Sequence, residues 1–137
     1  MSNVPIDDKR AGIRVQIIAP NRLVRSGLRL LVESGAGLVV ISELTRIEDA
    51  RAVAPLSTPD VIVVDMEHES TCTVDDFCAR STTSRVLVLA PEEAAGRAAV
   101  APRGASGILH THRAEDMLVQ AIRTLHHGGR WPAQPES

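Results

Sequence analysis

The chain has 137 residues and a formal net charge of −2, with 44% hydrophobic and 23% charged residues. This length and composition are typical of one globular domain, which buries about two-thirds of the surface of its unfolded chain. The small negative charge argues against a domain that binds nucleic acid through bulk electrostatic attraction.

Composition excludes several further classes of protein. The single lysine, Lys9, lies in a polar N-terminal stretch, so the expected folded body has no lysine for catalysis. With one Phe, one Trp and no Tyr, the chain has almost no aromatic faces on which bases or flat cofactors could stack. Two cysteines do not make a disulfide framework. The apolar runs are too short to span a membrane, and the N-terminus lacks a signal-peptide pattern, so we expect a cytoplasmic protein.

Five apolar or β-branched runs predict five strands. In chain order they cover residues 13–18, 38–42, 61–65, 85–90 and 107–110. Residues 1–12 are polar and predict a flexible N-terminal tail. Residues 130–137, which include two prolines, predict a C-terminal tail or the start of a linker, so the folded body is expected to span residues 13–129.

Segments with helical spacing separate these strands. Asn21 is a suitable cap for the first helix, which carries Val24, Leu28 and Leu31 on one face and ends near Gly35 or Gly37. A polar loop is expected over residues 66–73. Further helices are predicted over residues 47–54, 74–80, 91–103 and 114–127, and Gly128 and Gly129 end the last of them.

The elements thus alternate strand and helix five times. Continuous apolar strands that alternate with helices are typical of a parallel sheet covered on both faces. Right-handed crossovers then give a doubly wound α/β sheet of five parallel strands. In such sheets functional residues collect at the carboxyl ends of the strands, which here include Asp65 and His110.

Two groups of residues invite a chemical interpretation. His68, His110 and His112 fall near Asp65 at this edge and could be zinc ligands. Strand alternation directs His110 and its neighbour to opposite sides, however, and solvated loop histidines are the other interpretation, so we predict no metal site. The two cysteines, at positions 72 and 78, could sense redox state, but neither has a basic neighbour in the sequence to activate it.

The segment from Ile13 to Trp131 resembles the receiver domain of bacterial response regulators, in particular the NarL/FixJ type that precedes a LuxR-type DNA-binding domain. The resemblance is carried by residues 13–15, 23–28 (LVRSGL), 59–65 (PDVIVVD), 85–89, 104–107 (GASG) and 128–130. It implies a (βα)5 flavodoxin-like fold that covers almost the whole folded body.

This resemblance also implies a chemistry, aspartyl phosphorylation. Receivers use an acidic pair to hold Mg²⁺, an acceptor Asp, a hydroxyl, a Lys and a switch aromatic. Asp65 matches the acceptor. The other positions are occupied by Ala19 and Pro20 for the acidic pair, Ala90 for the hydroxyl, Thr111 for the Lys and Ile108 for the aromatic. We therefore predict a degenerate receiver that does not bind Mg²⁺ with useful affinity and holds no cofactor.

The expected function is a regulatory protein-interaction and dimerisation module of a transcription regulator, without enzyme activity and without Mg-dependent phosphorylation. The alternative is a working phosphoacceptor receiver that uses Asp65 in a two-component pathway. A small enzyme on a flavodoxin-like sheet has less support, because no nucleophile–base pair or Gly-rich phosphate loop is visible. Expected partners are a second copy of the chain and a sensor or regulatory protein. DNA is reached only through a C-terminal domain that these residues do not include, and no membrane is involved.

For the dimer, the sequence favours the outer faces of the last and first helices. The candidates on the last helix are Met117, Gln120, Arg123 and Thr124, and the first helix adds Arg22, Arg25, Arg29 and Leu30. The segment 91–103 is rich in alanine and has few of the large side chains that anchor interfaces.

Overall fold

The computed structural model of the protein describes residues 12–53, 58–66, 71–80, 83–90 and 105–131. The strands are β1 (Ile13–Ile18), β2 (Leu38–Leu44), β3 (Val61–Asp65), β4 (Arg85–Ala90) and β5 (Gly107–His110). The helices are α1 (Arg22–Glu33), α2 (Ile47–Val53), α3 (Thr71–Arg80) and α4 (Ala114–His126), and a 3-10 turn, Thr111–Arg113, precedes α4. The predicted helix over residues 91–103, the loop residues 67–70 and both chain ends lie outside the described residues.

All strand pairs are parallel, and the strand order in the sheet is β2-β1-β3-β4-β5. The predicted α/β class with a five-stranded parallel sheet is therefore confirmed. The order places β1, β3 and β4 in the interior of the sheet and leaves β2 and β5 at its two edges.

Two hydrophobic clusters, one on each face, hold the sheet between helices. The first joins alternate residues of the inner strands to α1 and α4, with Leu28 and Ile122 among its buried members. The second joins the intervening strand residues to α2 and α3, with Ile47 and Phe77 among its members. Alternation along each strand explains the division, because successive side chains point to opposite faces.

The pairing of β1 with β2 contains one shift of register. Val15 pairs with Val40, but the next residue, Gln16, pairs with Ser42, so Ile41 is an extra residue in β2. The buried side chain of Gln16 donates from Nε2 to Ser42 Oγ at 3.0 Å. A bulge of this kind changes the face to which the following side chains of the strand point.

Local sequence accounts for the start of α1. Asn21 has extended backbone angles (φ −88°, ψ 122°), and its Oδ1 accepts hydrogen bonds from the amides of Leu23 and Val24 at 2.8 and 3.1 Å. This side chain satisfies amide groups that the first turn of a helix otherwise leaves without partners. The predicted cap is confirmed.

Three element boundaries differ from the predictions. The strand β2 runs to Leu44 instead of residue 42, because Glu43 stays in the ladder while its carboxylate reaches Arg29 at 2.8 Å. The helix α3 begins at Thr71, in the stretch predicted as loop. The apolar spacing that predicted this helix begins at Val74, so the pattern missed its first turn. The last helix ends at His126, one residue early.

The ordered fold also extends past the predicted end of the body. Trp131, which the sequence placed in a tail or linker, pairs with Gly107 in a parallel bridge at the outer edge of β5. Within the described ranges, no helix is long and apolar enough to cross a membrane.

Candidate functional site

The carboxyl ends of β1, β3 and β4 meet at one edge of the sheet. Ile18 pairs with Val64, so the next residues, Ala19 and Asp65, follow side by side. Asp65 in turn pairs with Leu89, the residue before Ala90. Because the strands are parallel neighbours, the sheet brings together three of the positions that the sequence singled out.

Asp65 is a buried carboxylate at the end of β3. Its residue is 4% exposed, and the amide of Met66 donates to Leu89 O at 3.0 Å just beyond it. Within the described residues, no buried side-chain nitrogen or oxygen lacks a hydrogen-bond partner, and Asp65 itself has an interaction partner. The acceptor-like side chain is therefore buried and held by an interaction within the fold.

The positions of the expected acidic pair have no side-chain oxygen. Ala19 is fully buried, with its amide donating to Leu44 O at 2.9 Å, and Pro20 is half-buried. The half-buried Arg25 of α1 donates from Nη1 to the carbonyl oxygens of Ala19 and Pro20, at 2.8 and 3.3 Å. The guanidinium of Arg25 thus lies against the two residues at which the resemblance predicts an acidic pair.

The role of Arg25 was missed by the sequence analysis, which assigned this residue to an outer face of the first helix. The signal that could have found it is its spacing. An arginine in the first helical turn, five and six residues after the two residues that follow the strand, is within reach of their carbonyls. Its guanidinium can donate to both of them.

The hydroxyl position is the last residue of β4, and the lysine position directly follows β5. Ala90 is buried and pairs with His110, and Thr111 opens the 3-10 turn with an exposed side chain. Ile108, at the switch position, is half-buried and packs against the cluster below α2 and α3. These positions offer a methyl group, an exposed hydroxyl and an aliphatic side chain.

The candidate metal and thiol residues are only partly assembled. The rings of His110 and His112 lie 5.6 Å apart between centroids and are tilted by 40°, while His68 lies outside the described residues. Among the residues that the structure describes, no group of three or more His, Cys, Asp and Glu side chains could hold a metal ion. Cys78 is a buried thiol that forms no disulfide, and the side chain of Cys72 is not among those described.

The four dimer-face candidates of α4 do not share one environment. Met117 is half-buried and packs against the core, and Gln120 is exposed. Arg123 lines the cleft between α1 and α4 and donates to Ala36 O at 2.6 Å. The carbonyl oxygen of Thr124 accepts a hydrogen bond from the amide of Gly129. Part of the proposed face therefore already makes contacts within the chain.

Known proteins with similar sequences are response regulators. The chain is 30% identical over 125 residues to the response regulator UvrY of Escherichia coli K12. The alignment covers 88% of this chain and 57% of UvrY. It is 25% identical over 120 residues to a nitrate/nitrite response regulator protein homolog of Haemophilus influenzae. That alignment covers 85% of this chain and 58% of the homolog. The chain thus spans a little over half the length of these relatives. No protein-family model matches the sequence.

Solved structures agree with these sequence relatives. A two-component response regulator of the LuxR family from Aurantimonas sp. SI85-9A1 superposes with a TM-score of 0.75 at 25% identity, covering 87% of this chain and 88% of that one. A second match is the isolated receiver domain of RcsB from Salmonella enterica serovar Typhimurium, in the apo form. It superposes with a TM-score of 0.77 at 16% identity, and the superposition covers 87% of this chain and 91% of that one.

The chain thus has the fold of response-regulator receiver domains, with a buried aspartate at the end of β3. Its sequence and structure are similar to those of response regulators, including one of the LuxR family.

Proposed function

We propose that this chain is a degenerate receiver, which acts as a regulatory interaction and dimerisation module of a transcription regulator and has no enzyme activity. The observation that carries the proposal is the pocket edge around Asp65. Its neighbouring positions are Ala19, Pro20 and Ala90, which provide no side-chain oxygen or charge.

Magnesium chemistry explains why these substitutions matter. Mg²⁺ requires a nearly octahedral set of oxygen ligands. At the described pocket positions Asp65 is the carboxylate, and the carbonyls of Ala19 and Pro20 accept hydrogen bonds from Arg25. We therefore expect Mg²⁺ to bind too weakly to support phosphoryl transfer.

The same pocket would not convert a bound phosphoryl group into a conformational change. A ligand shifts an equilibrium between two states only through contacts that differ between them. With Ala90 and Thr111 in place of a buried hydroxyl and a lysine, and Ile108 in place of the aromatic, those contacts are missing.

Two measurements on the wild-type chain test this proposal. Mg²⁺ is titrated while the amide NMR signals of Met66 and of residues near it are followed. Intact mass is measured after incubation with acetyl phosphate. We expect no saturable shift at low-millimolar Mg²⁺ and no phosphate adduct. The double variant Ala19→Asp/Pro20→Asp is the matched control, because it restores the acidic pair and should gain Mg²⁺ binding.

The alternative function, a phosphoacceptor receiver, makes the opposite prediction. It is favoured by the location of Asp65, which is buried at the carboxyl end of the central strand of the sheet. A phosphate adduct that forms on the wild type and is lost in Asp65→Asn would establish this alternative and overturn the proposal.

Self-association is the interaction that we expect first. The helices α1 and α4 cover the same face of the sheet, and α1 has Leu23 and Leu30 81% and 73% exposed, seven residues apart. Exposed leucines at this spacing lie on one face of a helix. The same helix carries Arg22 and Arg29, which the sequence analysis proposed for the dimer interface. A symmetric dimer through α4 with a contribution from α1 would cover them.

Sedimentation decides whether and where the chain dimerises. In a two-fold interface each substitution acts twice, so Met117→Glu on α4 and Leu30→Glu on α1 should both produce monomers. Ala79→Glu, at an exposed position of α3, which packs on the opposite face of the sheet, should not. A wild type that is monomeric at high micromolar concentration would contradict self-association. A dimer that survives Met117→Glu but not Leu30→Glu would assign the interface to α1 alone.

Binding to DNA and to a sensor protein belongs, in this proposal, to the whole regulator. One solved relative in fold, from Silicibacter pomeroyi, is described as a LuxR family DNA-binding response regulator. We propose that DNA is contacted through a separate C-terminal domain. The native gene sequence beyond the codon for Ser137 tests this, since a helix-turn-helix pattern should follow.

A further inference from the structure

The chain leaves α4 through a turn that sends it back toward the sheet. Gly128 has a φ of +94°, its amide donates to Leu125 O, and the amide of Gly129 donates to Thr124 O, both at 2.9 Å. These are the two hydrogen bonds of a Schellman motif, in which a left-handed residue ends the helix. A residue with a Cβ rarely adopts this backbone conformation, so Gly128 fixes the direction of the segment.

The segment then meets the outer edge of β5. Trp131 forms a parallel bridge with Gly107, and the amide of Ile108 donates to Trp131 O at 2.9 Å. The half-buried indole packs against the cluster that α1 and α4 cover. An edge strand otherwise presents unpaired backbone groups to solvent and to other chains, and here the chain's own C-terminal segment pairs with them.

The contact is close enough to require glycine. A Cβ placed on Gly107 would lie 2.8 Å from the Cβ of Trp131 and 3.0 Å from its carbonyl oxygen. Since a backbone atom is among these neighbours, a side chain at residue 107 could be accommodated only if Trp131 moved away. The contact thus requires a glycine at residue 107.

We propose that residues 128–131 form a detachable clasp, which closes the edge of β5 and opens without unfolding of the domain. Among the described residues, its pairing with β5 is a single bridge and one hydrogen bond, in contrast to the four paired residues between β4 and β5. Ile108 packs its side chain below α2 and α3 and gives its amide to the clasp, so a partner that moves β5 or pairs with its edge would release the segment. By linkage, release of the segment would favour that partner to the same extent.

This inference does not depend on the proposed function, because it uses only the contacts of β5 and Trp131. Whether the domain dimerises or accepts phosphate leaves the expected results unchanged.

Native-state hydrogen exchange of the wild-type chain is the first test. Local openings exchange an amide at a rate that depends little on low concentrations of denaturant, whereas amides that need global unfolding respond steeply. We expect the Ile108 amide to show the local behaviour and the amides of Val63 and Leu87 to show the global one. If Ile108 exchanges only with the core amides, the segment is a fixed part of the fold and the clasp is refuted.

Trypsin supplies the second test, because it cuts after Arg130 when this segment is open. The release of residues 131–137 is followed by mass spectrometry, and the emission of the single tryptophan reports its exposure to water. Gly107→Ala should red-shift the emission and speed the release by at least about tenfold, since proteolysis follows the population of the open form.

Two further variants keep the test decisive. Gly128→Ala acts at the other end of the clasp, through its positive φ, and should have the same effects even where Gly107→Ala does not fold. Gly27→Ala is the matched control, because nothing lies within 4 Å of the added Cβ. Equal rates of release in the wild type, Gly107→Ala and Gly128→Ala, all folded by circular dichroism, would overturn the proposal.

Discussion

The interior of the sheet and its carboxyl edge are built from the same strands but differ in the polarity of their side chains. In the interior, Val15, Ile17, Val63, Leu87 and Leu89 are fully buried and fill the space below the helices without polar groups. At the edge, among the described residues, the carboxylate of Asp65 lies at strand ends whose next positions include Ala19 and Ala90, which carry only a methyl group. We expect apolar burial in the interior to supply most of the stability of this fold.

The largest expected effect lies in the interior. Leu87→Ala removes a fully buried side chain from β4 and should lower the free energy of unfolding by about 2–5 kcal/mol, from lost transfer energy and a remaining cavity. Urea denaturation measures this. Leu23→Ala, on an exposed side chain, is the control and should change stability by less than about 0.5 kcal/mol. Equal losses in both variants would contradict the contrast between interior and surface.

Arg25 tests whether the edge contains any stabilising interaction of its own. Arg25→Gln removes a charged donor from the carbonyls of Ala19 and Pro20, and should cost about 1–3 kcal/mol in unfolding free energy. Arg22→Gln is the control on the same helix, since the described residues include no ion-pair or hydrogen-bond partner for Arg22. If Arg25→Gln behaves like this control, the strand end is held by backbone pairing alone.

Asn21 is expected to have a smaller effect at the same edge. Asn21→Ala leaves the amides of Leu23 and Val24 without their side-chain acceptor and should cost about 1 kcal/mol. Asn21→Ser keeps an acceptor oxygen and should restore most of the loss. Thermal unfolding of the three proteins compares them, and an Asn21→Ser variant as unstable as Asn21→Ala would argue against a capping role.

The smallest effect is expected on the outer surface of α1. The hydrogen bond from Arg29 to Glu43 at 2.8 Å, together with the charge of Glu33, raises the pKa of Arg29 above its usual value. A raised pKa means that the charged guanidinium stabilises the fold. This stabilisation is complete below the pKa of the unfolded state and is lost only as pH rises through the pKa of the folded state. Arg29 therefore adds no pH dependence near neutrality.

Glu43→Gln should accordingly leave the midpoint of urea unfolding within experimental error, because solvent screens exposed ion pairs. The comparison is made at low salt and at about 0.5 M NaCl, where screening is stronger. A large loss at low salt that disappears at high salt would show that this surface pair matters more than its exposure suggests.

Local signals in the sequence were sufficient for most of the fold. The β-branched runs located β1, β3, β4 and β5 with the observed bounds, and Asn21 marked the start of α1. Their success follows from burial, since strands covered on both faces need continuous apolar residues. The family resemblance predicted a site at the carboxyl edge with Asp65 at its centre, and this assignment stays a prediction.

What the sequence did not predict depends on contacts between distant residues. The donation from Arg25 to Ala19 and Pro20 requires the helix to fold back over the strand end. The pairing of Trp131 with Gly107 joins residues separated by a complete helix. The first turn of α3 has no apolar spacing, and so no periodic signal.

The extra residue in β2 has a consequence for how the length of this strand can vary. Before the bulge, Leu38 and Val40 pack on the α1 side, and after it Leu44 packs on the opposite side while Glu43 reaches α1. Val40 and Ser42 already pair with consecutive residues of β1, Val15 and Gln16. Deletion of Ile41 would keep both pairs and remove only the unpaired residue between them. A strand interior normally tolerates no deletion, but this one contains a residue that the ladder can lose while every other side chain keeps its face.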